Sequence, residues 1–155
     1  MLLIIYKEIL VNSKCIGNLG EAKALARLVE LGIPVYQQFG DNECADLIII
    51  VNNTPLKVQV KTSTKGDENK VSFSLTSSTS HRKNGSRHKY SVDEVDIFIC
   101  LDAKKDILFV IKNIGNMSRF DIRYASAKNN QEVQVHYFED YILCIDTLQD
   151  AIKAE

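Results

Sequence analysis

The chain lacks any apolar run long enough to span a membrane, any C-x-x-C pair and any overall excess of basic charge. Each absence removes a class of function. The N-terminal run Met1-Leu2-Leu3-Ile4-Ile5 has no basic segment before it and meets Lys7 and Glu8 at once, which is too short and wrongly flanked for a signal peptide or membrane span. Residues 1–11 read as an extension ahead of the domain proper, and no membrane partner is expected. Cys15, Cys44, Cys100 and Cys144 have no zinc-motif spacing, which argues against a zinc site. Cys100 and Cys144 lie in apolar, strand-like runs and read as reduced core residues of an intracellular, cytoplasmic protein. No internal repeat or linker divides the 155 residues, so length predicts one domain, 1–155, around a single core.

The net charge of −1 hides a strong asymmetry. From Lys57 to Lys89 there are eight bases against two acids, whereas the remainder carries eleven bases against eighteen acids. Positive potential is therefore concentrated on about one fifth of the chain.

Two β-rich runs open that basic region. Ala45-Asp46-Leu47-Ile48-Ile49-Ile50-Val51 and Leu56-Lys57-Val58-Gln59-Val60-Lys61 are separated by Asn52-Asn53-Thr54-Pro55, a hairpin pattern. A loop of 52–55 or of 53–54 pairs Val51 with Leu56, Asp46 with Lys61 and Ile48 with Gln59. Side chains alternate along a strand, so Gln59 and Lys61 share the face of Asp46 while Val58 and Val60 enter a core. A carboxylate, an amide oxygen and an ammonium at one end of a hairpin suit a hard divalent cation beside a phosphate. Ahead of the hairpin, Ala22, Leu25, Ala26 and Val29 have the spacing of an amphipathic helix, which Gly32 and Pro34 end. Asn18-Leu19-Gly20-Glu21 has capping-box spacing at its start, giving Glu21 a purely structural reading on position alone.

Helix, Asp-bearing strand and Gln-x-Lys strand, in that order, resemble the PD-(D/E)XK nuclease superfamily. The chain from about Asn12 onward is similar in length and element order to the small intron-encoded homing endonucleases of that class. Two positions depart from the common pattern: Ala45 stands where the motif has proline, and Gln59 where it has an acid. Glutamine still offers a carbonyl oxygen, and Mg²⁺ accepts one or two carboxylates with water completing its shell. The resemblance implies an α/β fold with a restriction-endonuclease-like core, a mixed β-sheet flanked by helices. It implies catalytic residues Glu21, Asp46, Gln59 and Lys61, with Mg²⁺ (Mn²⁺ substituting) held by Asp46, Gln59, the Val60 carbonyl and Glu21. No organic cofactor is expected. It implies hydrolysis of double-stranded DNA to a 5′-phosphate and a 3′-hydroxyl by a homo-oligomer, dimer or tetramer. Two alternatives stay open: a nuclease of the Holliday-junction resolvase type, and a DNA-binding protein whose nuclease site has decayed.

Lys70 to Thr76 alternates polar and apolar residues, and Asn84-Gly85 is a hairpin-turn signal. Residues 76–90 read as a projecting β-ribbon, polar on both faces, of the kind that fits a DNA major groove. Lys65, Lys70, Ser78, Ser80, Arg82, Lys83, Asn84, Arg87 and Lys89 are its candidate DNA contacts; a solvated polar loop is the plain alternative. His81 and His88 read as part of that polar surface, having no acidic or cysteine partner close by in sequence. His136 reads as structural. Val95–Leu101 reads as a central strand, Asp102–Asp106 as a charged turn, Ile107–Ile111 as the strand that pairs back, and 113–117 as a loop. Val133–Phe138 and Tyr141–Ile145 are further apolar runs, and Asp146-Thr147-Leu148 opens a short terminal helix. Tyr137, Phe138 and Tyr141 fit either subunit packing or the core.

Overall fold

A computed structural model describes residues 12–40, 43–77, 87–126 and 135–153. Helix α1 (Ser13–Glu30) is followed by β1 (Val35–Gln37), β2 (Leu47–Val51) and β3 (Thr54–Ser63). Then come β4 (Lys70–Ser74), β5 (Thr76–Ser77), β6 (His88–Lys89), β7 (Ile97–Asp102), β8 (Ile107–Lys112), β9 (Arg119–Arg123) and helix α2 (Ile145–Ile152). The main sheet is mixed, in the order β1-β2-β3-β7-β8, with β3 and β7 parallel and the other pairs antiparallel.

The sheet separates two apolar layers. On one side Ala24 and Leu28 of α1 and Leu148 of α2 pack against Leu47, Ile49, Val58, Val60, Ile97 and Ile99. On the other, Val71 and Phe73 of β4 and Ile122 of β9 cover Phe98, Cys100, Phe109 and Ile111. Both faces of β7 are therefore covered, and all six of its residues are buried. That is the central strand expected from its apolar run.

Three expectations are corrected. Helix α1 begins at Ser13, capped by the Asn12 side chain accepting from the Lys14 backbone N–H at 3.0 Å, so Asn18 and Glu21 lie within the helix and form no cap. Its buried stripe is Gly20, Ala24 and Leu28, whereas Ala22, Ala26 and Val29 are exposed. The sheet selects the stripe that lets backbone approach backbone: a Cβ on Gly20 would overlap Thr62 Oγ1 on β3.

The hairpin register also differs. Asn52 and Asn53 both have positive φ, 50° and 62°, and make the two-residue turn themselves. Val51 then pairs with Thr54 and Leu47 with Val58. The Asp46 N–H donates to the Val58 carbonyl at 2.8 Å, which brings Asp46 opposite Gln59 rather than Lys61. The slip is two residues, so every side chain keeps its expected face.

Third, Cys144 is only half-buried at the start of α2, whereas Cys100 is fully buried. Strand β9, which completes the second layer, has no counterpart in the sequence reading. Of the run 133–138, residues 135–138 are described and hold an isolated bridge at Tyr137 and the start of a 3₁₀ turn. His136 is structural: it stacks on Phe120 and its Nδ1 lies 2.7 Å from the Tyr141 hydroxyl.

Candidate active site

The end of the β2–β3 hairpin collects the polar residues. Asp46 Oδ2 accepts from the Gln59 side-chain Nε2 at 2.6 Å and from the Val60 backbone N–H at 2.8 Å. The Val60 side chain is buried in the α1-side core, which fixes the strand beneath its carbonyl. Burial raises the Asp46 carboxyl above its ordinary pKa, against the lowering effects of the Val60 N–H, the Lys61 charge and Gln59. Such a carboxylate gains most from a cation brought close to it.

Glu21 reaches the same place from α1. With Gln37, Gln38, Gly40 and Asp46 it lines a pocket of about 310 Å³. Gln38 also lines that pocket, and its Oε1 is buried without a hydrogen-bond partner among the described residues. Two carboxylates, the Gln38 and Gln59 amides and the Val60 carbonyl form an oxygen-rich set that fits a hard divalent cation. Gln59 turns its amide nitrogen to Asp46 at 2.6 Å and to the Val60 carbonyl at 3.3 Å, so presenting its oxygen requires an amide flip that gives up both hydrogen bonds, a loss that a cation between the oxygens would offset.

Lys61 shares the face of Gln59 but turns toward the ribbon. Its Nζ donates to the Tyr90 hydroxyl at 3.1 Å and to the Thr76 carbonyl at 3.3 Å. Burial lowers its pKa and the Asp46 charge opposes that shift. Tyr90 itself is pushed up to about 12, first by burial and then by the charges of Asp46, Cys44 and Glu94, so it stays a neutral phenol. Tyr90 was not legible as a site residue, because only the fold brings it to Lys61.

The ribbon is present at its base, where Thr76 pairs with Lys89 and Ser77 with His88. Ser78, Ser80, Arg82, Lys83, Asn84 and the Asn84-Gly85 turn lie outside the described residues. Lys65 and Arg87 line one open groove of about 590 Å³ together with Ser72 and Arg119. Lys70 on β4 and Lys89 on β6 do not line it. Arg119 comes from the unforeseen β9; it is exposed, bonded to Ser72 Oγ at 2.8 Å and paired with Asp121. His88 is not the isolated surface histidine expected: its Nε2 lies 2.9 Å from Glu94 Oε1, which also accepts from Cys44 Sγ at 3.5 Å.

No curated protein matches the chain. Among solved structures, a bacterial homing endonuclease, I-Ssp6803I, superposes with a TM-score of 0.55 at 21% identity, over 76% of this chain and 79% of that one. At that identity the likeness is one of fold. The family profile described as PD-(D/E)XK endonuclease matches residues 11–144, from just ahead of α1 to the residue before α2. The chain belongs to the PD-(D/E)XK endonuclease family.

Proposed function

We propose that the protein is a sequence-specific endonuclease of the homing type, which hydrolyses double-stranded DNA with Mg²⁺ and leaves a 5′-phosphate and a 3′-hydroxyl. The observation that carries this reading is the junction of Asp46, Gln59 and the Val60 backbone at one hairpin end, beside a pocket shared with Glu21. Asp46, Gln59, the Val60 carbonyl and Glu21 would hold the cation, with Mn²⁺ able to replace Mg²⁺. When bound, the cation supplies Lewis acidity to the scissile phosphate and acidifies a water at neutral pH.

The chain's own groups do the rest. Asp46 is anchored by the Val60 N–H, so its carboxylate is already in place for the cation, and Gln59 is the ligand that must reorient. Lys61 positions the attacking water and offsets the charge that builds on the phosphate. Its bond to Tyr90 aims the ammonium, and burial weakens its hold on its own proton. Lys65, Arg87 and Arg119 line a groove suited to the DNA backbone, and Lys70, Lys89, Ser78, Ser80, Arg82, Lys83 and Asn84 would supply further contacts. Each chain offers one such site, so cutting both strands calls for at least a two-fold homo-oligomer, a dimer or tetramer.

The test is incubation of purified protein with supercoiled plasmids carrying candidate sites, and with a four-way junction, in Mg²⁺ and in EDTA. Discrete double-strand cuts that require Mg²⁺ support the proposal. Preference for the junction reassigns the protein to branched substrates, and binding without cleavage reduces it to a DNA-binding module.

A further inference from the structure

We propose that Cys44, His88 and Glu94 form a second metal site, beside Asp46 but with its own ligand set, that takes a borderline-soft divalent cation of the zinc type and pins the ribbon base to the start of β2. The three residues are distant in sequence but offer Sγ, Nε2 and a carboxylate oxygen within 4.8 Å of one another. Their separations already approach those of a coordination shell. Tetrahedral zinc with bonds of roughly 2.0–2.3 Å to N, O and S holds its donors roughly 3.3–3.7 Å apart. The Cys44 Sγ to Glu94 Oε1 distance is 3.5 Å and the His88 Nε2 to Glu94 Oε1 distance is 2.9 Å. The third separation, Cys44 Sγ to His88 Nε2, lies within the same 4.8 Å, so seating an ion asks the thiol and the imidazole to close by at most about 1 Å.

The donor types differ from those at Asp46. A thiolate and an imidazole select zinc-like ions, whereas an all-oxygen set selects Mg²⁺. On binding, the Cys44 thiol proton leaves to solvent, the proton on His88 Nε2 is given up to solvent while Nδ1 holds the ring proton, and the His88–Glu94 hydrogen bond is exchanged for two metal bonds. The Glu94 carboxylate is oriented for this by the Ser91 backbone N–H, which donates to Oε2 at 2.8 Å, the outer-shell bond that ligating carboxylates use. Access exists as well: Cys44 and His88 line an open pocket of about 320 Å³ that Glu43, Asp46 and Gln59 also line, so the cluster opens beside the Asp46 carboxylate, and the Glu43 charge adds to the attraction for a cation. The ligands come from three places, the segment before β2, strand β6 and the turn before β7. One ion would cross-link all three. His88 pairs with Ser77 in the ribbon base, so the clamp acts on the two strands that lead into the basic ribbon.

The experiment uses the full-length, reduced, metal-free protein titrated with Co²⁺, a spectroscopic stand-in for zinc. The expected result is a thiolate-to-cobalt charge-transfer band that saturates at one equivalent per chain and is abolished by one equivalent of Zn²⁺. It is absent in Cys44→Ser, whose circular dichroism matches wild type, and needs at least about tenfold more Co²⁺ in His88→Gln. It persists in Cys15→Ser and in Asp46→Asn. No thiolate band, a band that survives Cys44→Ser, or unchanged affinity in His88→Gln would overturn the proposal. Loss of the band in Asp46→Asn would move the ion to the catalytic pocket and overturn it equally; loss in Cys15→Ser would assign the thiolate to the wrong cysteine.

Discussion

Gly20 on α1 and Thr62 on β3 meet with no room for a side chain between them, and Glu21 is the next residue along the helix. A methyl group at position 20 would push the helix off the strand at Thr62 and carry Glu21 away from Asp46. Gly20→Ala is expected to lower stability by about 1–3 kcal/mol, the usual cost of overpacking, despite alanine's better helix propensity. Cleavage should fall with it. The Thr62 hydroxyl is buried and has no hydrogen-bond partner among the described residues, so adding Thr62→Ala to Gly20→Ala should restore most of both properties. Urea denaturation and cleavage of the two variants check this; a Gly20→Ala protein as stable as wild type contradicts the packing.

The raised pKa of Asp46 carries a sign. Between its ordinary value of 3.8 and its higher folded value, the folded chain keeps a proton that the unfolded chain has lost. That contribution to stability is complete below 3.8 and disappears as pH rises through the folded value, so at neutral pH the buried carboxylate works against the fold. Asp46→Asn should therefore melt at a higher temperature than wild type in EDTA at neutral pH, while losing cleavage. Calorimetry across the acidic range should also show a flatter pH dependence in the variant. A lower melting temperature at neutral pH would count against the burial of this charge.

Tyr90→Phe isolates the aim of Lys61. The ring remains against Phe98 and beneath the ammonium, and what is lost is the hydroxyl, 3.1 Å from Nζ and also bonded to the Ser77 side chain. One hydrogen bond to a charged group corresponds to about 1.5–3 kcal/mol, so kcat should drop roughly 10- to 100-fold with KM for DNA little changed. A pure structural role would instead appear as lost stability with kcat intact.

The groove makes a separate claim about binding. Each of Lys65→Ala, Arg87→Ala and Arg119→Ala should reduce the slope of log affinity against log salt by roughly one. Arg119 is the sharpest of these, since nothing but its place on β9 puts it in the groove. Fluorescence anisotropy on duplex DNA at several salt concentrations measures the slope. An unchanged slope for Arg119→Ala places the DNA elsewhere.

The faces of the catalytic hairpin were legible because period two survives a slip of two residues. Asp46, Gln59 and Lys61 stay together whether Asp46 meets position 59 or 61. The register itself depended on which turn residues adopt positive φ, and Asn52-Asn53-Thr54-Pro55 offers more than one choice. In α1 the spacing Asn18-x-x-Glu21 imitated a cap, and Ala22, Leu25, Ala26 and Val29 imitated a core stripe. The helix buries Gly20, Ala24 and Leu28 instead, since a close approach to β3 favours small residues that a search for apolar periodicity undervalues. Tyr90, Arg119 and the Cys44–His88–Glu94 cluster depend on contacts across the fold, which no local spacing encodes.

Single-turnover cleavage of a duplex carrying the preferred site, in Mg²⁺, compared between wild type, Asp46→Asn and Lys61→Ala, tests the central claim most directly. The account predicts Mg²⁺-dependent cuts with 5′-phosphate ends in wild type, and none in either variant although both bind the duplex within about tenfold of wild-type affinity, ~1.4 kcal/mol. Cleavage at the wild-type rate by folded Asp46→Asn would contradict it.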